Sequence, residues 1–438
     1  MVNLKLSSHN NFLNPILFIF LVILFIFGRT FMGLNIFIFR LGELIIGLSA
    51  LYFIYTLITS FFYKVENEQS LKVINFLFIG IVLHALFLII FYKYSFFDLY
   101  PFKASSYIWV LGSFYFGRKI NFFNMSNSRL VLLFITLSFS YYLSIFGITE
   151  FFQNQILKLT DKFDYLKGSD LLIYYLFVGV VLMFSLKKEK LMPIYLVFGM
   201  FYLPLVMNKS RGASIAFLII LIILIIEFLK NINSISINLL TLGASILVFI
   251  VSTFIVSKSP IELSEIEERI VVVSSGRYQK PIQNVPAIEY PAIYFENGRI
   301  HSGDGNLNWR FQIWQDVIED LNFQNKLLIG YGYNSKIPAM DVFYRAGNDG
   351  TNENVHNFFI NILARGGLIH LTLYILFFIN LFVYFNKNSL KKEFLFLFLP
   401  IMITSFFDAS MENSHFPILF YFLIGNIIQI TEIKNNRS

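Results

Sequence analysis

The sequence predicts an all-α polytopic membrane protein with about 12 transmembrane helices and a large, partly helical outer loop between spans 9 and 10. Three observations carry that expectation. The 438 residues are 56% hydrophobic and only 14% charged, with a mean hydropathy of +0.66, whereas soluble domains carry about 25% charged residues. Apolar runs recur at close to the ~20 residues a helix needs to cross a bilayer. Lys and Arg collect in alternate short loops, as they do in chains oriented across a membrane.

The runs lie near 12–28, 40–62, 72–92, 104–117, 129–147, 170–186, 191–207, 212–229, 237–257, 357–385, 393–407 and 415–431. The run Pro15 to Phe27 follows Lys5, but no small-residue cleavage site comes after it, so it reads as the first span rather than a signal peptide. With the N-terminus inside, the inner loops hold Lys64 and Lys72, then Arg118, Lys119 and Arg129, then Lys187, Lys188 and Lys190, then Lys230, then Lys387, Lys391 and Lys392. The outer loops are poorer in uncompensated cations. The loop over 148–169 balances Lys158, Lys162 and Lys167 with Glu150, Asp161 and Asp164. Both termini are therefore expected in the cytoplasm and residues 258–355 outside. The chain divides into 1–257 with nine spans, the outer loop 258–355, and 356–438 with three spans and a short tail.

Composition excludes several chemistries. With no cysteine, there is no disulfide, thiolate metal site or Cys nucleophile. The net charge is +7, yet residues 258–355 hold nine Lys/Arg and thirteen Asp/Glu, which makes the loop −4 and the remainder +11. Positive charge confined to short loops signals topology, so no nucleic-acid partner is expected. No internal repeat stands out, which gives no support to an inverted-repeat transporter.

The outer loop is too long to be a mere connector, and long loops are functional or disordered. Its Tyr, Trp, Phe and Ile content argues against disorder. Asn308 to Leu321 has apolar residues at 311, 314, 318 and 321, which predicts a helix that Asn308 could cap. Arg310 lies one turn from Trp314 on it; by pattern alone it is a surface arginine. Gly330-Tyr331-Gly332-Tyr333 predicts a tight turn, and without a third glycine and a following helix it is no dinucleotide fingerprint. His356-Asn357 opens the tenth span, and a histidine there is a natural proton acceptor or an ordinary interfacial residue. Arg365 lies more than two turns further on, either in a polar cavity or on a helix that protrudes above the bilayer. Ser210-Arg211-Gly212-Ala213 opens the eighth span, where a charge lines a cavity or anchors the interface. Asp408, Glu412 and His415 cluster between the last two spans.

In this order, Ser210-Arg211-Gly212-Ala213, Arg310 with Trp314, Gly330 and Gly332, and His356-Asn357 with Gly366-Gly367 resemble the O-antigen ligase and polymerase superfamily of bacterial surface-polysaccharide enzymes. The motifs cover about 205–385. Val355 stands before His356 where many ligases carry a second His or a Ser, a departure from the ligase pattern. The resemblance implies an inverting glycosyl transfer at the periplasmic face of the bacterial inner membrane. The donor would be an oligosaccharide on undecaprenyl diphosphate, and the acceptor a sugar hydroxyl on another lipid-linked unit or, for a ligase, lipid A-core or protein; a transporter of lipid-linked sugars is the remote alternative. His356 would be the base, and Arg211 and Arg310 would bind the diphosphate, for which a guanidinium fork is suited. Trp314, Asn357, Tyr331 and Tyr333 are candidate substrate contacts. No Asp-rich motif accompanies them, so neither a metal nor another cofactor is expected. Partners would be the lipid-linked donor, membrane lipid, a chain-length regulator and a flippase.

Overall fold

The computed structural model describes residues 10–63, 69–92, 99–120, 122, 123, 125–160, 163, 165–184, 188–231, 235–259, 293–341 and 353–435. Helix α1 (Asn10–Met32) is joined by a hairpin of β1 (Asn35–Ile36) and β2 (Phe39–Arg40) to α2 (Leu41–Tyr63), followed by α3 (Gln69–Phe91). Short helices α4 (Leu99–Ala104), α5 (Ser106–Trp109) and α6 (Gly112–Gly117) precede α7 (Asn127–Phe146) and α8 (Glu150–Leu157). Then come α9 (Gly168–Met183), α10 (Lys188–Lys209), α11 (Arg211–Asn231) and α12 (Ile235–Ser257). The loop contributes a hairpin of β3 (Tyr294–Glu296) and β4 (Arg299–His301), then α13 (Gly305–Phe323), before α14 (Phe358–Lys387), α15 (Lys391–Phe407) and α16 (His415–Asn435) close the chain.

The fold is all-α and polytopic. Among the described residues, eight helices are long and apolar enough to cross a membrane, and Leu41–Thr56 and Gly168–Met183 are shorter apolar helices. Each expected span except the fourth coincides with one helix. The apolar run 104–117 is instead broken into α4 to α6. A Cβ at Gly112 would strike the Ser49 backbone of α2, and one at Gly117 would strike the Phe422 backbone of α16. Val110 and Leu111 between α5 and α6 keep helical angles, and the two glycines let this stretch pack closely on α2 and α16.

Helix α9 lies at the centre. All residues from Gly168 to Leu182 are buried, as expected of a helix that is apolar on every face. It locks to α10 reciprocally: Tyr175 and Tyr195 stack at 4.2 Å, and each hydroxyl donates to the other's carbonyl, at 3.0 and 2.8 Å. Gly179 and Gly199 leave room for those two rings.

Helix α14 is two helices joined at Gly367, whose φ of +67° and ψ of −169° interrupt the helix. The Gly330–Gly332 turn fills the gap. Tyr331 N donates to Ala364 O and Gly332 N to Arg365 O, both at 2.8 Å, while Leu368 N donates to Leu327 O at 2.8 Å. The inserted turn thus satisfies backbone groups that the break would leave orphaned. Both glycine motifs of the sequence belong to this one junction. The membrane-length part of α14 begins after the break, which leaves residues 358–366 as a short helix of the loop body. Arg365 is buried beside the break, among the polar groups of the inserted turn.

The loop body has its own core of Ile313, Trp314, Val317, Leu321, Tyr331, Ile337, Ala339, Met340, Val355, Leu363 and Ala364. Two expectations for α13 change here. Asp304, not Asn308, caps the helix, its carboxylate accepting from Leu307 N at 2.9 Å. Asn308 is buried and accepts from Ser302 N at 3.1 Å. The buried face runs through 313, 314, 317 and 321, while Ile318 is exposed, because the β3–β4 hairpin covers the neighbouring flank. There the buried Arg299 pairs with Asp316 at 2.6 Å and donates to Gln312 O at 3.1 Å.

Candidate active site at the mouth of the bundle

The candidate residues converge where the loop body meets the bundle. His356 is half-buried, with φ at +54°, a left-handed conformation that costs an L-residue about 1–2 kcal/mol and collects at functional positions. The kink turns the chain from the loop into α14. Asn357 caps that helix, its carbonyl oxygen accepting from Phe359 N at 2.9 Å and Ile360 N at 3.1 Å. The imidazole lies against the indole of Trp309, ring centroids 5.2 Å apart. One residue earlier, Val355 O accepts from Trp314 Nε1 at 2.7 Å. Trp314 is buried between Phe311 and Phe406, so it holds His356 in place from behind.

Trp314→Phe keeps the ring and removes only the indole N–H. A buried carbonyl left unsatisfied costs about 1–3 kcal/mol. The expected result is a less stable loop body, measured as a lower melting temperature of the purified variant.

Charges from three other elements act on His356. Burial pushes the imidazole down to about 4; Arg310 on α13 adds to the shift, Asp408 after α15 opposes it, and Lys167 before α9 adds a smaller push. The group is therefore neutral at neutral pH, as a base must be, but its basicity in the free protein is below the near-neutral value expected from the sequence. Arg211 begins α11 with its side chain 80% exposed, and its guanidinium pairs with Asp304, the cap of α13. Arg310 follows six residues later on that helix, about 9 Å along its axis. The structure thus brings Arg211, Arg310 and His356 to one mouth, from three separate stretches of chain.

The remaining candidates sit deeper. Tyr333 is fully buried, its hydroxyl 2.9 Å from that of Tyr107. Tyr331 is buried in the loop core, with Lys326 over its ring at 5.3 Å. Both serve the junction with α14 in this structure.

Two residues outside the sequence's candidate set belong to the same region. Arg365 is buried and donates to Ser335 O at 2.5 Å and to Gly332 O at 3.4 Å, which ties α14 to the inserted turn. Glu412 lies in the 3-10 turn Ser410–Glu412 between α15 and α16. Burial pushes its carboxyl up to about 8, with Arg365 opposing and Asp408 adding. The sequence signal for Glu412 was its place between two spans at the loop-bearing end. No group of three or more His, Asp or Glu residues positioned to hold a metal ion occurs among the described residues.

Fold and site together define a multi-pass membrane protein with a loop body docked over one end of its bundle. Residues 194–375 match the family model described as O-antigen ligase, a stretch that runs from α10 into α14 and includes Arg211, Arg310 and His356. The match covers 182 of the 438 residues, so the likeness to O-antigen ligases is a likeness of this stretch. No curated protein matches the chain.

Proposed function

We propose that the protein is a surface-polysaccharide polymerase. It transfers glycan from undecaprenyl diphosphate to a sugar hydroxyl of another lipid-linked repeat unit, with inversion and without a metal, on the periplasmic side of the inner membrane. The observation that supports this most is the convergence of one neutral imidazole with two arginines at the bundle mouth. His356 takes the proton of the attacking hydroxyl as the new glycosidic bond forms. Arg211 and Arg310 stabilise the departing diphosphate, which leaves as an anion and needs no protonating acid. The donor's negative charge would also offset the field of Arg310 and Lys167, so His356 becomes a stronger base once the donor is bound.

A second reading, ligase transfer to lipid A-core, draws support from the ligase description of the matched family. Deleting the gene and running surface glycan on a gel separates the two. A single repeat unit left on the anchor supports the polymerase, loss of all attached glycan supports the ligase, and an unchanged ladder defeats both.

Arginine-to-lysine changes test the diphosphate role. Arg211→Lys keeps a cation near Asp304 and Arg310→Lys keeps one near His356, but each replaces a bidentate fork with a point charge. Each is expected to lower kcat/KM about tenfold or more on a lipid-linked donor. Normal polymer from both variants would remove the arginines from the donor site.

A further inference from the structure

Lys167 lies immediately before α9, far in sequence from every motif. Yet its charge reaches His356, and the reason is local packing. Gly168 sits directly against Ser210, where an added Cβ would come within 2.7 Å of the Ser210 Cβ and 3.4 Å of the Ala213 Cβ. The start of α9 is thereby pressed onto the start of α11, beside Arg211. Lys167 itself is exposed, next to this contact between the starts of α9 and α11.

Behind Lys167 lies a buried pair. Asp170 Oδ2 accepts from Lys167 N at 3.0 Å, and Asp170 Oδ1 accepts from His415 Nε2 at 2.6 Å. The Asp170 and His415 side chains are 5% and 2% exposed. A carboxylate so deeply buried is costly unless hydrogen-bonded on both oxygens, and here both are used. The pair joins the start of α9 to the start of α16 and fixes the backbone of Lys167.

We propose that Lys167 is a third cation of the diphosphate site, a specificity residue for diphosphate over monophosphate lipids, and that Asp170 with His415 is its positioning pair. This rests on the polyprenyl-diphosphate reading above. Two arginines and a lysine around one anion would offer two forks and a point charge, enough to separate a ligand with two phosphates from one with a single phosphate.

The test uses the full-length protein in nanodiscs and measures affinity for undecaprenyl diphosphate and for undecaprenyl phosphate. Lys167→Met is expected to weaken diphosphate binding about tenfold and monophosphate binding much less, with the melting temperature unchanged, since the side chain is exposed; Lys167→Arg should restore most of the loss. Asp170→Ala should reproduce the loss, and Asp170→Asn, which keeps an acceptor for Lys167 N, should rescue it. If the pair acts through Lys167, the Lys167→Met/Asp170→Ala double variant should bind no more weakly than the worse single variant. A Lys167→Met protein that keeps the wild-type preference for diphosphate overturns this proposal and leaves the functional reading standing. A wild-type protein with no such preference overturns both.

Discussion

The His356→Ala protein is expected to insert and fold but to make no detectable polymer. His356 is half-buried and its ring contact is Trp309, so alanine opens space at the mouth and leaves the loop core of Ile313, Val317 and Leu321 intact. Removing a general base costs about 10²–10⁴ in rate. Release from the left-handed backbone conformation does not accompany the change, since alanine bears a Cβ too. A fully active variant would sink the base assignment. The pH profile sharpens the test. Protonation removes the base, so activity is lost as pH falls. In the free protein His356 titrates near 4, and kcat/KM should fall below that value. In the donor complex the diphosphate favours the imidazolium, so the acid limb of kcat should lie at higher pH than that of kcat/KM. Glu412 works in the other direction. Pushed up to about 8, it ionises above that pH and adds negative charge beside a site that must hold an anion. An alkaline fall in kcat/KM near 8 is expected, absent in Glu412→Gln.

Much of this arrangement is legible in the sequence. The span positions follow from apolar length, and Arg211, Arg310 and His356 stand in an order that named the superfamily. Three features were not legible, and each for a physical reason. The run 104–117 is divided among short helices, and the close packing of Gly112 and Gly117 on α2 and α16 is a tertiary contact that apolar length does not report. The buried face of α13 depends on the hairpin ahead of it, so periodicity alone chose Ile318 and Asn308 where packing chose Val317 and Asp304. The placement of Lys167 beside the start of α11 depends on the contact of Gly168 with Ser210. That contact links segments about forty residues apart in sequence, and no local pattern reports it.

Gly367→Ala is expected to be the most damaging single substitution outside the charged residues. Two independent costs meet there. The backbone sits at φ +67° and ψ −169°, a region essentially reserved for glycine, which costs any other residue on the order of 1–3 kcal/mol. A Cβ would also run into the Leu328 carbonyl, and backbone cannot swing aside as a flexible side chain does. Relief would require withdrawing the turn at 327–332, which would break the bonds from Tyr331 N to Ala364 O, Gly332 N to Arg365 O and Leu368 N to Leu327 O. Arg365 would then lose its hold on Gly332 and Ser335, and the short helix 358–366 that carries His356 at its entrance would no longer be fixed against the rest of α14. The variant should therefore lose activity comparably to His356→Ala, but with a lowered melting temperature and faster proteolysis of the loop. Gly47→Ala, at a glycine with open space around it, provides the control. Wild-type thermal stability in Gly367→Ala would mean that the inserted turn does not hold the two halves of α14 together.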